Sequence, residues 1–191
     1  MDLYHLALFV HLLTLVVAAG LTTIVKLAAT RRMRARTAGE ALEWHNTLTS
    51  AAKLFPACLV GFTATGFYML SLTGGAHLSV GYVAAGLLGV LFLLGSGTYL
   101  GVQGAGLKRV LEDAAARDAD AAPPRLIPSA AVRLLPMINS GVALGVAFDM
   151  TTKPASIPVA MGIVVLGALI AAVGASRQGA PGQAGVRHAA M

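Results

Sequence analysis

The sequence predicts an all-α integral membrane protein: five transmembrane helices in one bundle, N-terminus outside and C-terminus inside. Three observations carry this. Long apolar stretches occupy residues 3–25, 51–72, 80–102, 130–150 and 157–175 of the 191-residue chain. Hydrophobic residues make up 57% and charged residues only 12%, about half the charged share of an ordinary soluble domain. The Lys and Arg residues gather in alternate loops. A helix rises about 1.5 Å per residue and the hydrocarbon core is about 30 Å thick, so every stretch is long enough to cross it. Lipid leaves only helices and closed barrels as spanning structures, because backbone groups must be satisfied internally.

The first span begins almost at the N-terminus, with Asp2 as a start-side acid. Its first 25 residues contain no Lys or Arg. A secretory signal needs a basic stretch before its apolar run. Here the basic run follows, as in an N-out anchor. The loop over residues 30–46 carries Arg31, Arg32, Arg34 and Arg36, then Glu40, Glu43, Trp44 and His45. Two readings stand side by side: a short amphipathic helix on the membrane with Trp44 at headgroup level, or a solvated basic loop.

The second span holds the single cysteine, Cys58, so no intrachain disulfide is possible. Lys53 lies near its start, where its stem can snorkel to the interface. The short loop 71–79 has no Lys or Arg and contains His77. The third span runs into residues 107–129, where alternating charges and alanines predict a helical extension. Pro123, Pro124 and Pro128 should end it. The fourth span contains Pro136, with Asn139 and Ser140 placed to satisfy nearby backbone groups. The fifth completes a single domain over residues 1–175, and the Gly- and Ala-rich tail 176–191 is expected to be disordered.

The net charge of +6 does not point to nucleic acid. Lys26, Arg31, Arg32, Arg34 and Arg36 follow the first span, and Lys108, Arg109, Arg117, Arg125 and Arg133 lie after the third. Arg177 and Arg187 are in the tail. This alternation is the positive-inside signature, with anionic lipid headgroups as secondary partners. Two small-xxx-small patterns, Gly97 with Gly101 and Gly141 with Gly145, suit close helix packing within the chain or, alternatively, a dimer face.

His11 is the leading candidate site residue. It lies about 12 Å into the first span by helix rise, where ionisable groups turn toward protein. Thr14, Ala18 and Thr22 share its face. Two roles compete: a hydrogen-bonded packing histidine, or a haem ligand, metal ligand or proton carrier. His5, His77, Asp149 and Met150 all fall near the outer interface and form a candidate metal site, since His and Met suit copper and His with Asp suits several divalent ions. A transmembrane bis-histidine haem is disfavoured, because spans three to five contain no His. No Walker A, HExxH, CxxC, CxxCH or GxSxG motif is present, and catalysis by the chain itself is not expected.

The segment His11-Leu12-Leu13-Thr14-Leu15-Val16-Val17-Ala18-Ala19-Gly20 resembles the opening helix of a group of small bacterial membrane proteins. The group includes copper-resistance D-type proteins, a membrane type of protoporphyrinogen oxidase, and uncharacterised integral membrane proteins. Residues Phe148-Asp149-Met150-Thr151-Thr152-Lys153-Pro154 resemble the end of the fourth span in the uncharacterised members. The resemblance implies a haem or metal role for His11. The oxidase type carries a Lys in its third span; residues 80–102 have none, so that activity is not implied. The expected function is a small redox- or metal-associated inner-membrane protein binding haem b or copper. The alternative is a non-catalytic structural or accessory subunit of a larger membrane complex. Expected partners are the lipid bilayer and either other membrane subunits or a second copy, with no nucleic acid.

Overall fold

A computed structural model describes residues 2–72, 79–124 and 129–178, with side chains through Gly174. Its elements, all α-helices among the described residues, are α1 (Leu3–Arg34), α2 (Ala38–Ala52), α3 (Phe55–Leu72), α4 (Gly81–Arg117), α5 (Ala130–Thr152) and α6 (Ile157–Gln178). Five stretches are long and apolar enough to cross a membrane: Leu3–Arg34, Ala38–Leu72, Gly81–Arg117, Ala130–Thr152 and Ile157–Gly174. Large apolar side chains such as Phe9, Val16, Val60, Leu144 and Ile170 face outward, which fits contact with lipid tails.

Several helices outrun the apolar stretches that announce them. At 32 residues, α1 is about 48 Å long, well beyond the hydrocarbon thickness. The excess lies at its charged end, where Arg31, Arg32 and Arg34 form the last turn. In the same way α4 carries Lys108 to Arg117 past its apolar part, as the alternating charges predict. It stops at Arg117, well before Pro123. The physical reason is Asp118. Its carboxylate accepts the Asp120 N–H at 3.0 Å and its carbonyl accepts the Ala121 N–H at 3.3 Å, turning the chain before the prolines are reached. The tail beyond Gln178 and His77 lie outside the described residues.

The residues form two compact units. The first contains α1–α3 and residues 90–124; the second contains residues 79–89, α5 and α6. In the first unit α1 runs antiparallel to α2 and α3 and packs on both. The register is even: His11 meets Thr65, Thr14 lies against Gly61, and Arg32 meets His45. Of the two readings of residues 30–46, α2 is the helical one. Thr37 caps it by accepting the Glu40 N–H at 3.2 Å, while the Glu40 carboxylate accepts the Arg36 N–H at 3.0 Å. The next free amides are met across the fold. Ala38 N–H donates to the Ala121 carbonyl at 2.8 Å, and Gly39 N–H to the Ala119 carbonyl at 2.9 Å. Between α2 and α3 the helix breaks at Lys53 and Leu54, just before Pro56.

In the second unit α5 and α6 pack backbone to backbone. Gly141 faces the Gly167 carbonyl, and a Cβ on Gly145 would stand 2.8 Å from the Val164 Cα. The start of α4 joins them: Gly89 receives Val146 and Gly86 receives Met150. Gly81 N–H and Tyr82 N–H donate to the carbonyls of Ala155 and Pro154 at 2.9 and 3.1 Å. Lys153 closes α5 in the left-handed conformation, φ 49°, with its N–H on the Asp149 carbonyl at 2.7 Å; Pro154 follows and prevents continuation. Within α5, Ser140 donates to the Pro136 carbonyl at 3.0 Å.

Candidate functional site

His11 sits between α1 and α3. Its ring stacks on Phe62 with centroids 3.9 Å apart and planes 29° apart. Its Nδ1 lies 2.9 Å from the Thr65 hydroxyl. The contacts of Thr65 favour one tautomer. A threonine hydroxyl has one hydrogen, and this one is donated to the Gly61 carbonyl at 2.7 Å. The same oxygen therefore accepts from His11 Nδ1–H. In that tautomer the neutral ring has an unprotonated Nε2; the Phe62 backbone also bonds to the ring. A second-sphere bond on one nitrogen that leaves the other as a lone-pair donor is how ligating histidines are oriented.

The rest of the stripe follows the same face. Thr14 and Thr22 return their hydroxyl protons to the Val10 and Ala18 carbonyls, so neither competes for the ring. One turn along, an open groove of about 280 Å³ runs between α1 and α3, lined by Val10, Leu13, Thr14, Val17, Ala57 and Cys58. Apart from Thr14 and the thiol it offers only apolar atoms.

The candidate outer residues are placed differently from one another. His5 is exposed at the start of α1, edge-on to Tyr4 and 3.8 Å from the Asp2 carboxylate. Asp149 is 0% exposed, and neither of its carboxylate oxygens has a partner among the described residues. It continues the buried α5 face of Gly141, Val142, Gly145 and Val146. Met150 is its chain neighbour, a 100° step around the helix, with its methyl at Gly86. His5 belongs to the other unit. Among the described residues no group of three or more His, Cys, Asp or Glu lies close enough to hold a metal ion.

A second constellation, on the helical extensions that lie beyond the apolar stretches 3–25 and 51–72, was not singled out by sequence. His45 on α2 is 1% exposed. Arg32 NH1 lies 3.0 Å from its Nδ1. Arginine can only donate, so Nδ1 accepts and the proton sits on Nε2. That Nε2 is buried without a hydrogen-bond partner among the described residues. The ring edge faces Gly104, which has no side chain to displace it. Burial holds the imidazole below its ordinary value, and the Arg32 charge adds to this; the Gly104 carbonyl opposes it, Lys108 lowers it further and Glu112 raises it. His45 is thus a neutral acceptor that orients a guanidinium. Arg32 is itself half-buried, and burial pushes its pKa below the ordinary arginine value.

No family model matches this chain, and neither a curated protein nor a solved structure resembles it.

Proposed function

We propose that this is a small multi-pass protein of the bacterial inner membrane, N-terminus outside, that holds a haem through His11. The supporting observation is the tautomer: Thr65 occupies Nδ1 and leaves Nε2 as a donor in an apolar span. Haem requires one protein nitrogen and apolar surroundings; His11 supplies the nitrogen, and the groove lined by Val10, Leu13, Thr14, Val17, Ala57 and Cys58 lies beside it on α1 and α3 without including it. Copper requires further donors, and no group of three His, Cys, Asp or Glu surrounds His11 among the described residues. When held, haem would supply one-electron chemistry. The chain's own part is to fix the imidazole plane through Phe62, fix its proton through Thr65, and keep water away with α1 and α3.

A second reading, an accessory subunit that binds no cofactor, is favoured by one observation. Gly97 and Gly101 on α4 have nothing within 4 Å of where a side chain would begin among the described residues of their own unit, a face that would accept a helix of another protein.

An optical spectrum of the full chain purified in mild detergent separates the two. A Soret band that is lost in His11→Ala and retained in His5→Ala supports the haem reading. Thr65→Val should weaken haem retention by about tenfold or more, the usual effect of removing a second-sphere partner. Full haem content in His11→Ala removes the residue from the site and overturns the proposal. A colourless protein that co-purifies with other membrane subunits supports the second reading.

A further inference from the structure

Arg32 makes no ion pair with a carboxylate among the described residues; its one bonded partner is the neutral ring of His45. A guanidinium has five donors in a rigid fork and stays charged in proteins. A half-buried guanidinium held by a buried, neutral acceptor is preorganised for an anion that the chain does not itself provide. His45 is the positioning group, since only its Nδ1 fixes where the fork points.

A second cation lies on the same face. Gly104 touches the His45 ring, and Lys108 follows one turn later on α4, with the buried Leu111 continuing the stripe. Lys108 reaches Glu112 at 3.4 Å, with both side chains nearly half exposed. Such exposed pairs are worth at most about 1 kcal/mol, so an anion displaces Glu112 at little cost. The depth is marked independently. Arg31 lies 5.9 Å from the centroid of the Trp44 ring, and tryptophan collects where apolar core meets headgroup. The apolar part of α1 ends only a few residues earlier, which would put Arg32 near the level of lipid phosphates. The first amides of α2 are already bonded to Thr37, Ala119 and Ala121, so the helix terminus is not the attraction.

We propose that Arg32 and Lys108 bind a phosphate group, mono- or diester, with His45 holding the guanidinium in place. The group can come from an anionic phospholipid headgroup or from free phosphate.

The test is native mass spectrometry of the full chain, reconstituted in phosphatidylcholine with a minority of phosphatidylglycerol and released from detergent. The expected result is retained phosphatidylglycerol in excess of its share of the mixture. Arg32→Ala and Lys108→Gln should each lower that retention, by about tenfold for the hydrogen-bonded arginine and about fivefold for the lysine. Glu112→Gln should raise it. Arg34→Ala, on an exposed side chain of the same turn, should leave it unchanged. Arg32→Lys keeps the charge without the fork and should fall between wild type and alanine, which guards against misfolding of the alanine variant. Inorganic phosphate added at millimolar level without displacing lipid assigns the site to headgroups. Displacement, with the same dependence on Arg32, assigns it to free phosphate. Retention that is equal in wild type, Arg32→Ala and Lys108→Gln overturns the proposal.

Discussion

Replacing Gly145 by Ala tests the α5–α6 contact at a point where its cost can be worked out. In a helix interior the change alone should stabilise by up to about 1 kcal/mol, because Gly is the weaker helix former. Here the added Cβ would meet Val164 Cα at 2.8 Å, Ile163 O at 3.3 Å and Val164 N at 3.4 Å. All three are backbone atoms, and none can rotate aside. Optimal carbon contacts lie at about 3.5–4.0 Å, so the helices must part by roughly 1 Å. A gap of that size forfeits a quarter to a half of each dispersion contact along the seam. Overpacking of this kind costs about 1–3 kcal/mol. After the propensity gain, a net loss of up to about 2 kcal/mol is expected. Gly97→Ala is the control, since nothing among the described residues lies within 4 Å of its added methyl and only the propensity gain remains. The two variants should therefore differ by about 2 kcal/mol, of opposite sign about wild type. Reversible unfolding by SDS in mixed micelles, followed by helical circular dichroism, measures this. Equal stability of the two variants would refute the backbone contact between α5 and α6.

His45 should make stability depend on pH. Its folded pKa is depressed, so below its ordinary value of 6.5 the unfolded chain binds the proton more readily than the folded one. The stability it contributes is complete above that value and is lost as pH falls from there toward the folded pKa; His45→Gln should remove this slope from the unfolding midpoint below pH 6.5. Topology can be read with reporter fusions: one following Arg187 should report the cytoplasm, and one inserted at residues 73–76 the exterior. A cytoplasmic signal from the second site would overturn the proposed orientation.

The spans are legible because a run of about twenty apolar residues has few other uses. Their ends are not, since a helix continues into water wherever its residues are good formers. Lys26 to Arg34 is such a stretch, rich in Leu, Ala, Lys and Arg. The helical reading of α2 had a local signal that hydropathy ignores, the Thr37 to Glu40 capping box. Depth and face picked out His11, but its partners Phe62 and Thr65 lie more than fifty positions away, and the register of α1 on α3 is not written locally. Asp149 shows the same limit. Its place near a helix end suggested an interfacial depth but not its burial against protein, to which the close α5–α6 packing at Gly141 and Gly145 leads. The two small-xxx-small patterns are equivalent on paper, yet Gly141 and Gly145 meet α6 while Gly97 and Gly101 meet nothing within 4 Å among the described residues.

The start of α2 is completed by carbonyls that belong to Ala119 and Ala121, about eighty residues downstream. A ribosome delivers the chain in order, so when α2 leaves it these acceptors do not yet exist. During synthesis the Ala38 and Gly39 amides must rely on water until α4 has entered the membrane and its far end has emerged. Closure of this cap is therefore a late event in biogenesis. A chain stalled after the second span should present α2 to proteases, and the completed chain should protect it.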